Sequence, residues 1–324
     1  MRVLSGIQPS GKLHLGNYYG AMKQYIELQH EHECFYFIAN YHTLTSIQDA
    51  ELLREYTRDV AIDYLTMGLD PQKVCLFRQS DIPEVPELAW ILSCVTGKGL
   101  LERAHAFKDK TAKGLPISMG LFCYPVLMAA DILIYRSHLV PVGRDQVQHV
   151  EMTQDIAGYF NQTFRPVFTR PEPRLNDAPV VPGTDGQKMS KSYGNTIELF
   201  SDPKEIERKF MSVKTDSTPV AEPKHPETCN LFALLRLMAP ADELAEWDRR
   251  YRAGGMGYGE AKKRLAELYE QQFGSKRAVR AQWAARPDDV EDVLRSGAAR
   301  ARAVAKEVMH DVRAACGIVR SPDV

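Results

Sequence analysis

The sequence has little charge imbalance and no long apolar run. Its 324 residues include 41 Lys and Arg against 42 Asp and Glu, a formal net charge of −1. No apolar stretch approaches the ~20 residues that span a bilayer, and the N-terminus does not follow a signal-peptide pattern. We therefore expect a cytoplasmic protein without a membrane segment. Near-neutrality excludes strongly basic wrapping proteins, but it leaves room for a local nucleic-acid-binding face.

The sequence also lacks paired cysteines. Its six cysteines are scattered, and no two stand two to four residues apart as zinc or iron–sulfur ligands usually do. We therefore predict no metal site formed by the protein itself and mostly buried thiols. Two loops rich in small or polar residues, 5–17 and 188–192, match neither the dinucleotide fingerprint GxGxxG nor the P-loop GxxxxGK[ST]. This argues against hydride transfer and P-loop hydrolysis.

Strand and helix patterns alternate in the first part of the chain. Strand candidates at 2–7, 34–40, 74–78 and 139–142 are separated by helical segments, and Pro125 is expected near the start of an apolar helix over 118–136. Alternation of this kind predicts βαβ units and an α/β, Rossmann-like parallel sheet. The pattern is helical from about residue 203. We expect a catalytic domain over 1–200 and an all-helical region over 201–324.

The first candidate site is a loop rich in small residues. Residues 5–17 (SGIQPSGKLHLGN) leave the first strand and enter the first helix, where backbone amides and a helix N-terminus favour phosphate. His14 and Asn17 are three residues apart in the first helical turn. A glycine-rich turn around a buried histidine explains the same composition equally well.

The second candidate site is the run KMSKS at 188–192. Two lysines and two serines within five residues provide ammonium and hydroxyl groups that can follow developing charge on pyrophosphate. A solvated surface loop is the alternative interpretation of such a run.

Together the two loops resemble the paired signatures of class I aminoacyl-tRNA synthetases. HLGN differs from the commoner HIGH form at Asn17, a variant found in the tryptophanyl- and tyrosyl-like branch. KMSKS matches its signature at every position. The opening SGIQPSGKLHLGNYYGA, then MAADILIY and PVGRDQVQHVEMTQDIAGYFN, further resemble the bacterial tryptophanyl-tRNA synthetase family. This resemblance is dense over 4–160 and 187–217 and thins in the C-terminal helices.

One helix carries residues that bear on the choice of amino acid. Tyr124, Met128 and Asp131 are spaced i, i+4, i+7 and therefore share a helical face. A carboxylate among apolar residues is costly to bury unless it meets a donor. An aromatic ring, a thioether and a carboxylate on one wall suit a flat apolar ring with one N–H, such as indole. Alternatively, Asp131 caps a backbone group or pairs with a nearby lysine or arginine.

The resemblance implies roles for individual residues. For tryptophan, Asp131 is expected to accept the indole N–H, and the amino acid is expected to be framed by Gly6, His42, Tyr124, Met128, Val142 and Gln146. For ATP, the expected contacts are Gln8, Pro9, Ser10, Gly16, Asn17, Gly143, Arg144, Asp145, Val180, Lys188, Met189, Ser190, Lys191 and Ser192. Charge stabilisation is expected from His14, Asn17, Lys188 and Lys191, with Lys110 near the triphosphate or its Mg²⁺.

The implied reaction is activation of L-tryptophan by ATP, followed by transfer to tRNA(Trp). The resemblance further implies a homodimer and anticodon reading by the helical C-terminal region, where Lys262, Lys263, Arg264, Lys276, Arg277 and Arg280 form a basic cluster. Three alternatives stay open at this stage: a tyrosyl-tRNA synthetase-like enzyme, a small nucleotidylyltransferase of the HIGH type, and a regulatory paralogue that charges no tRNA.

Overall fold

The computed structural model describes residues 1–114, 116–175 and 180–318. The chain forms two compact units. The first comprises Met1–Ser10, Gln24–Asn176 and Arg286–Val324, and the second comprises Gly11–Lys23 and Asp177–Ala285.

The first unit is built on a parallel sheet. Within the described residues its strands are β1 (Arg2–Ile7), β2 (Glu33–Ile38), β3 (Val74–Arg78), β4 (Leu139–Val142) and β5 (Glu172–Leu175). Their order is β3-β2-β1-β4-β5, and every pairing is parallel. This confirms the predicted fold class. The strand order reverses between β1 and β4, which is where open α/β sheets bind ligands at the carboxyl ends of their strands.

Helices account for most of the remaining described chain. Their bounds are α1 Leu15–Asn17, α2 Lys23–Leu28, α3 Asn40–Thr43, α4 Ala50–Met67, α5 Glu84–Ser93, α6 Lys98–Leu101, α7 His105–Ala112, α8 Met119–Leu133, α9 Val147–Thr163, α10 Pro203–Met211, α11 Asn230–Met238, α12 Ala241–Ala253, α13 Tyr258–Tyr269, α14 Lys276–Ala284 and α15 Pro287–Cys316. Shorter helical turns lie at Tyr18–Met22, Gln79–Asp81, Arg144–Gln146, Lys191–Tyr193 and Glu270–Gly274. Among the described residues, none of these helices combines the length and apolar character that a bilayer crossing requires.

The start of α8 corrects one sequence prediction. The hydroxyl of Ser118 accepts a hydrogen bond from the Leu121 amide at 3.2 Å, so the helix begins at Met119. Pro125 consequently lies inside the helix, and the prediction that it lies near the helix start is wrong. Proline has no N–H to complete the helical bond of the preceding turn. The apolar packing of α8 in the core, including buried Val126 and Ala129, outweighs this loss.

The long helix α15 packs on β3 in the first unit. A Cβ atom added at Gly297 would lie 2.0 Å from the carbonyl oxygen of Leu76, so only glycine permits this approach. The Arg300 guanidinium donates to the carbonyls of Pro71 and Val74, each at 2.6 Å. The first compact unit therefore includes this C-terminal helix, whereas the sequence predicted a single boundary near residue 200. A functional division into a catalytic part over 1–200 and a tRNA-binding part over 201–324 stays a prediction.

The second unit has its own apolar core. Helices α10, α11 and α13 each bury one face, and the buried side chains include Ile206, Phe210, Leu231, Leu235, Leu265 and Tyr269. The Tyr269 hydroxyl donates to the carbonyl of Glu198 at 2.8 Å and accepts the amide of Phe200 at 3.0 Å. The helical core is thereby joined to the chain segment that follows KMSKS.

Candidate active site

A buried carboxylate is the centre of the polar cluster in the first unit. Asp131 on α8 is 2% exposed. One of its oxygens lies 2.8 Å from Nε2 of His42, and Nε2 of Gln79 donates to both oxygens at 2.9 Å. Burial raises the pKa of Asp131, and the hydrogen bonds from His42 and Gln79 oppose that rise. The carboxylate is thus held by neighbours that favour its charged form.

The sheet explains why these side chains meet. His42 lies on α3 just after β2, and Gln79 directly follows β3, so both stand at the carboxyl ends of adjacent strands. The Gln79 Oε1 accepts the amide of Tyr41 at 3.0 Å, which turns the amide nitrogen toward Asp131. Sequence reasoning missed Gln79, although a polar residue immediately after a buried strand was a usable signal. The sequence leaves open a lysine or arginine partner for Asp131, whereas its hydrogen-bond partners in the described structure are His42 and Gln79.

Tyr124 joins this cluster from about two turns earlier on α8. Its ring packs edge-on to His42 with the centroids 6.3 Å apart, and its hydroxyl hydrogen-bonds Nε2 of His149. Burial raises the pKa of Tyr124 to about 12, so the hydroxyl is protonated at neutral pH. His149 on α9 is a buried member of the cluster that sequence reasoning missed. Met128 is half-buried and packs against the apolar core.

The other predicted tryptophan residues lie at the carboxyl ends of β1 and β4. A Cβ atom at Gly6 would come within 2.7–2.9 Å of the Phe37 ring, so close packing requires glycine there. Val142 ends β4, and Gln146 closes the turn Arg144–Gln146 through its amide to the Gly143 carbonyl at 2.9 Å. This is the edge of the sheet at which a ligand is expected.

The predicted ATP residues that follow β1 and β4 occupy the same edge. Ser10 donates its amide to the Gln8 carbonyl at 2.9 Å, which closes a tight turn around Pro9. Arg144 is exposed, and the side chain of Asp145 lies outside the described part of the structure. Lys110 lies in the last turn of α7 and is half-buried. Their contacts with a triphosphate stay predictions.

In the second unit, the HLGN loop contacts the KMSKS segment directly. The Leu15 amide donates to Ile197 O at 2.9 Å, and the Leu199 amide donates to Leu13 O at 2.8 Å. The Lys191 ammonium donates to the carbonyl of Gly11 at 2.7 Å. The sequence predicted both loops, and the structure shows that backbone pairing and one lysine join them.

His14 is the most buried polar group of the HLGN loop, at 5% exposed. Burial, assisted by the charge of Lys191, lowers its pKa to about 4, so the imidazole is neutral at pH 7. Its Nδ1 has no hydrogen-bond partner among the described residues. Asn17 turns back to accept the His14 amide at 3.1 Å, and a Cβ at Gly16 would lie 2.9 Å from the His14 ring. His14 therefore supplies a neutral polar group, and the cationic charge comes from lysine.

The KMSKS loop presents polar groups around a buried anchor. Met189 is 4% exposed, whereas Lys188 and Ser192 are exposed, and the hydroxyls of Ser190 and Ser192 are 2.9 Å apart. Val180, predicted to contact ATP through its backbone, is 66% exposed. The described residues bring the predicted lysines and serines together on one short segment.

A family model described as tRNA synthetases class I (W and Y) matches residues 1–274. The chain belongs to this family. The sequence-based resemblance is thereby confirmed. Among curated class I synthetases of this type, the chain is 53% identical over 319 residues to the tryptophan–tRNA ligase of Rhodopirellula baltica, covering 98% of this chain and all of the relative. It is 51% identical to that of Fusobacterium nucleatum, with 98% of both chains covered.

Solved class I synthetase structures resemble the fold closely. The tryptophanyl-tRNA synthetase from Campylobacter jejuni, complexed with ADP and tryptophan, is 48% identical, with a TM-score of 0.90 over 98% of this chain and all of that one. The enzyme from Mycoplasma pneumoniae is 30% identical, with a TM-score of 0.84 over 98% of this chain and 97% of that one.

The basic cluster of this class I synthetase is largely engaged within the second unit. The Arg264 guanidinium pairs with Glu243 at 2.7 Å, and that of Arg277 pairs with Glu270 at 2.6 Å. Lys262 donates to the Met211 carbonyl at 2.8 Å. The geometry therefore gives these residues structural roles, and contact with tRNA phosphates stays a prediction for the cluster.

The described residues contain no group of three or more His, Cys, Asp or Glu side chains that could hold a metal ion. The residues of this synthetase thus do not form a metal centre of their own within that part of the chain.

Proposed function

We propose that the chain activates L-tryptophan with ATP to form tryptophanyl-adenylate and pyrophosphate, then transfers tryptophan to tRNA(Trp). The proposal that the amino acid is tryptophan rests on the buried Asp131, which is held between His42 and Gln79. Relatives named tryptophan–tRNA ligases at 48–53% identity over nearly full length support the same reaction.

The Asp131 pocket has the chemistry to select indole. A carboxylate offers about four acceptor positions, and the contacts from His42 and Gln79 use three of them. The remaining position on Oδ1 can accept the indole N–H, while Tyr124 and Met128 contribute apolar surface. Phenylalanine offers no donor for this buried group, and a site built to bond a substrate N–H rejects such analogues strongly.

The activation step needs no covalent intermediate on the protein. A carboxylate oxygen of tryptophan forms a bond to the α-phosphorus of ATP, and the bond from that phosphorus to the bridging oxygen of pyrophosphate breaks. Catalysis then rests on positioning and charge stabilisation. We assign the cationic role to Lys188 and Lys191. His14, neutral at pH 7, serves as a hydrogen-bonding group, and its buried Nδ1 is suited to that role.

The remaining partners follow from the reaction. ATP is a substrate and is taken to carry Mg²⁺ on its phosphate oxygens, with Lys110 as the proposed neighbour of the triphosphate. In the second step the 2′-hydroxyl of the terminal adenosine of tRNA forms an ester bond to the tryptophanyl carbonyl carbon, the bond from that carbon to the adenylate breaks, and AMP leaves. The cytoplasm is the proposed compartment. We assign anticodon contacts to the region 201–324.

We also propose a homodimer. Trp90 on the outer face of α5 is 72% exposed, and an exposed tryptophan is the kind of side chain enriched in protein interfaces. Sedimentation equilibrium of the full chain tests this assignment, since a monomer at micromolar concentration would contradict it.

The deciding experiment is amino-acid-dependent pyrophosphate exchange across a panel of amino acids, followed by aminoacylation of tRNA(Trp). Exchange with tryptophan alone, and charging that requires tRNA(Trp), is the expected result. Exchange with tyrosine would favour the tyrosyl-like alternative. Tryptophan binding without exchange or charging would favour a regulatory paralogue, and adenylylation that needs no tRNA acceptor would favour a nucleotidylyltransferase.

A further inference from the structure

One buried amide side chain holds the KMSKS loop together. Asn195, just beyond the motif, is 2% exposed. Its Oδ1 accepts the amide of Ser190 at 2.8 Å, and its Nδ2 donates to the carbonyl of Lys188 at 3.1 Å. A single side chain therefore bonds the backbone on both sides of Met189.

The same side chain also reaches the segment that precedes the motif. Nδ2 of Asn195 donates to the carboxylate of Asp185 at 2.7 Å, and the Asn195 carbonyl accepts the amide of Thr184 at 3.0 Å. Asp185 in turn accepts the Gln187 amide at 3.0 Å. The chain from 184 to 195 thus closes on itself around Asn195.

Packing leaves this arrangement little freedom. A Cβ atom at Gly183 would lie 2.3 Å from the Asn195 side chain and 2.7 Å from its carbonyl oxygen. The backbone of Gly183 therefore lies directly against the amide, and a larger residue at 183 cannot be accommodated without moving it. The loop has one well-defined way to place Asn195.

We propose that Asn195 is a positioning residue that sets the backbone of Lys188 and Ser190, and through it the placement of the KMSKS ammonium groups on ATP phosphates. This inference rests on the proposed function. Asn195 touches no reacting atom in this role. It acts through the loop backbone, so its loss should lower the rate of activation and leave tryptophan binding in place.

Asn161 offers a matched control. Its Oδ1 accepts the amides of Val167 and Phe168 at 2.9 and 3.0 Å, and its Nδ2 donates to the Phe168 carbonyl at 2.8 Å. It therefore fixes a loop by the same kind of bonds, but in the first unit and on the segment after α9. Asn161→Ala reports what loss of such bonds does to stability alone.

The first experiment combines kinetics and proteolysis on the full-length chain. We expect Asn195→Ala to lower the kcat of tryptophan-dependent pyrophosphate exchange by about 10- to 100-fold, since small misplacements of catalytic groups have effects of that size. The tryptophan Kd should stay within about twofold. Trypsin should cut after the exposed Lys188 about tenfold faster, because a released loop opens more often. Asn161→Ala should lower Tm and change none of these three readouts.

A charge-swapped pair provides a second test. Asn195→Asp keeps an acceptor for Ser190 but loses its donors and faces the Asp185 carboxylate, so exchange should fall as in Asn195→Ala. Adding Asp185→Asn restores a donor between the two positions and should recover part of the rate. These two variants also test the proposal if Asn195→Ala does not fold.

The outcomes separate the two proposals. Unchanged exchange and unchanged cleavage at Lys188 in Asn195→Ala would overturn the role of Asn195, as would an equal loss of exchange in Asn161→Ala. A wild-type chain that exchanges nothing with tryptophan would instead overturn the proposed function, and the proteolysis result would still decide whether Asn195 holds the loop.

Discussion

The Asp131 cluster of the first unit and the signature loops of the second unit are held in different ways. Asp131 is fixed by side chains, His42 and Gln79, that emerge from the ends of neighbouring strands. In the loops it is the backbone that is fixed, either by pairing with other backbone, as Leu15 does with Ile197, or by bonds to the Asn195 side chain. Substitutions should therefore alter the choice of amino acid in the first region and the rate for any accepted amino acid in the second.

The largest expected effect is on the choice of amino acid. Asp131→Ala removes the acceptor proposed for indole, so tryptophan-dependent exchange should fall by about 10³-fold or more. ATP binding, measured by calorimetry, should persist. Glu84→Ala is a matched control, because Glu84 is 5% exposed and pairs with Arg302 at 2.9 Å in the same unit. Unchanged exchange in Asp131→Ala would contradict the assignment.

The next effect concerns the loops. Lys191→Met keeps the length of the side chain but removes its charge and its bond to the Gly11 carbonyl. Exchange kcat should fall by about 10²-fold, the size seen when one stabilising donor is lost, with the tryptophan Kd unchanged. Lys204→Met, at an exposed position on α10, should have no effect on either. If Lys191→Met weakened tryptophan binding as much as it lowered the exchange kcat, the two regions would not differ in the way proposed.

A smaller effect is expected at Gln79. Gln79→Met removes the donor to Asp131 and the acceptor for the Tyr41 amide without a large change in volume. The free energy of unfolding should fall by about 1–3 kcal/mol, because buried partners lose their bonds. The KM for tryptophan should rise about tenfold while ATP KM is unchanged. Urea unfolding and steady-state exchange measure the two quantities, and a shift in ATP KM alone would be inconsistent with a role at Asp131.

The effect with the least consequence for activity is on stability and depends on pH. The pKa of His14 is lowered from 6.5 to about 4 in the folded protein, so the unfolded chain binds more protons between these values. Stability should therefore decrease as pH falls from about 6.5 to about 4, by an amount on the order of 1–3 kcal/mol. In His14→Asn the slope of unfolding free energy against pH should be flatter over this range. Identical slopes would show that His14 is not responsible.

Much of the sheet was predictable because its strands are apolar on both faces. The bounds predicted for β1, β3 and β4 agree with the structure, and β2 differs by one residue at its start and two at its end. The strand β5 was missed. It lies at the edge of the described sheet, its residues are mostly exposed, and Pro173 stands within it, so it carries no buried apolar pattern.

The candidate site was predictable where residues are close in sequence and less so where they meet through the fold. His14, Asn17 and the KMSKS residues belong to continuous motifs, and Asp131 stood out as a charge in an apolar helix. Gln79 and His149 gain their roles from contacts 52 and 25 residues away along the chain, respectively. Periodicity on one helix cannot reveal such partners. Once the order of the strands is known, residues that follow neighbouring strands can be recognised as candidate partners.

The close fit of α15 on β3 has a consequence for how the chain is made. The helix spans Pro287–Cys316, and its Gly297 lies against the carbonyl of Leu76. During synthesis, the sheet strands emerge from the ribosome long before this helix does. The apolar face of β3 that α15 covers therefore stays exposed while the more than two hundred residues between β3 and α15 are synthesised. Apolar strand surface exposed in this way during folding is prone to aggregation.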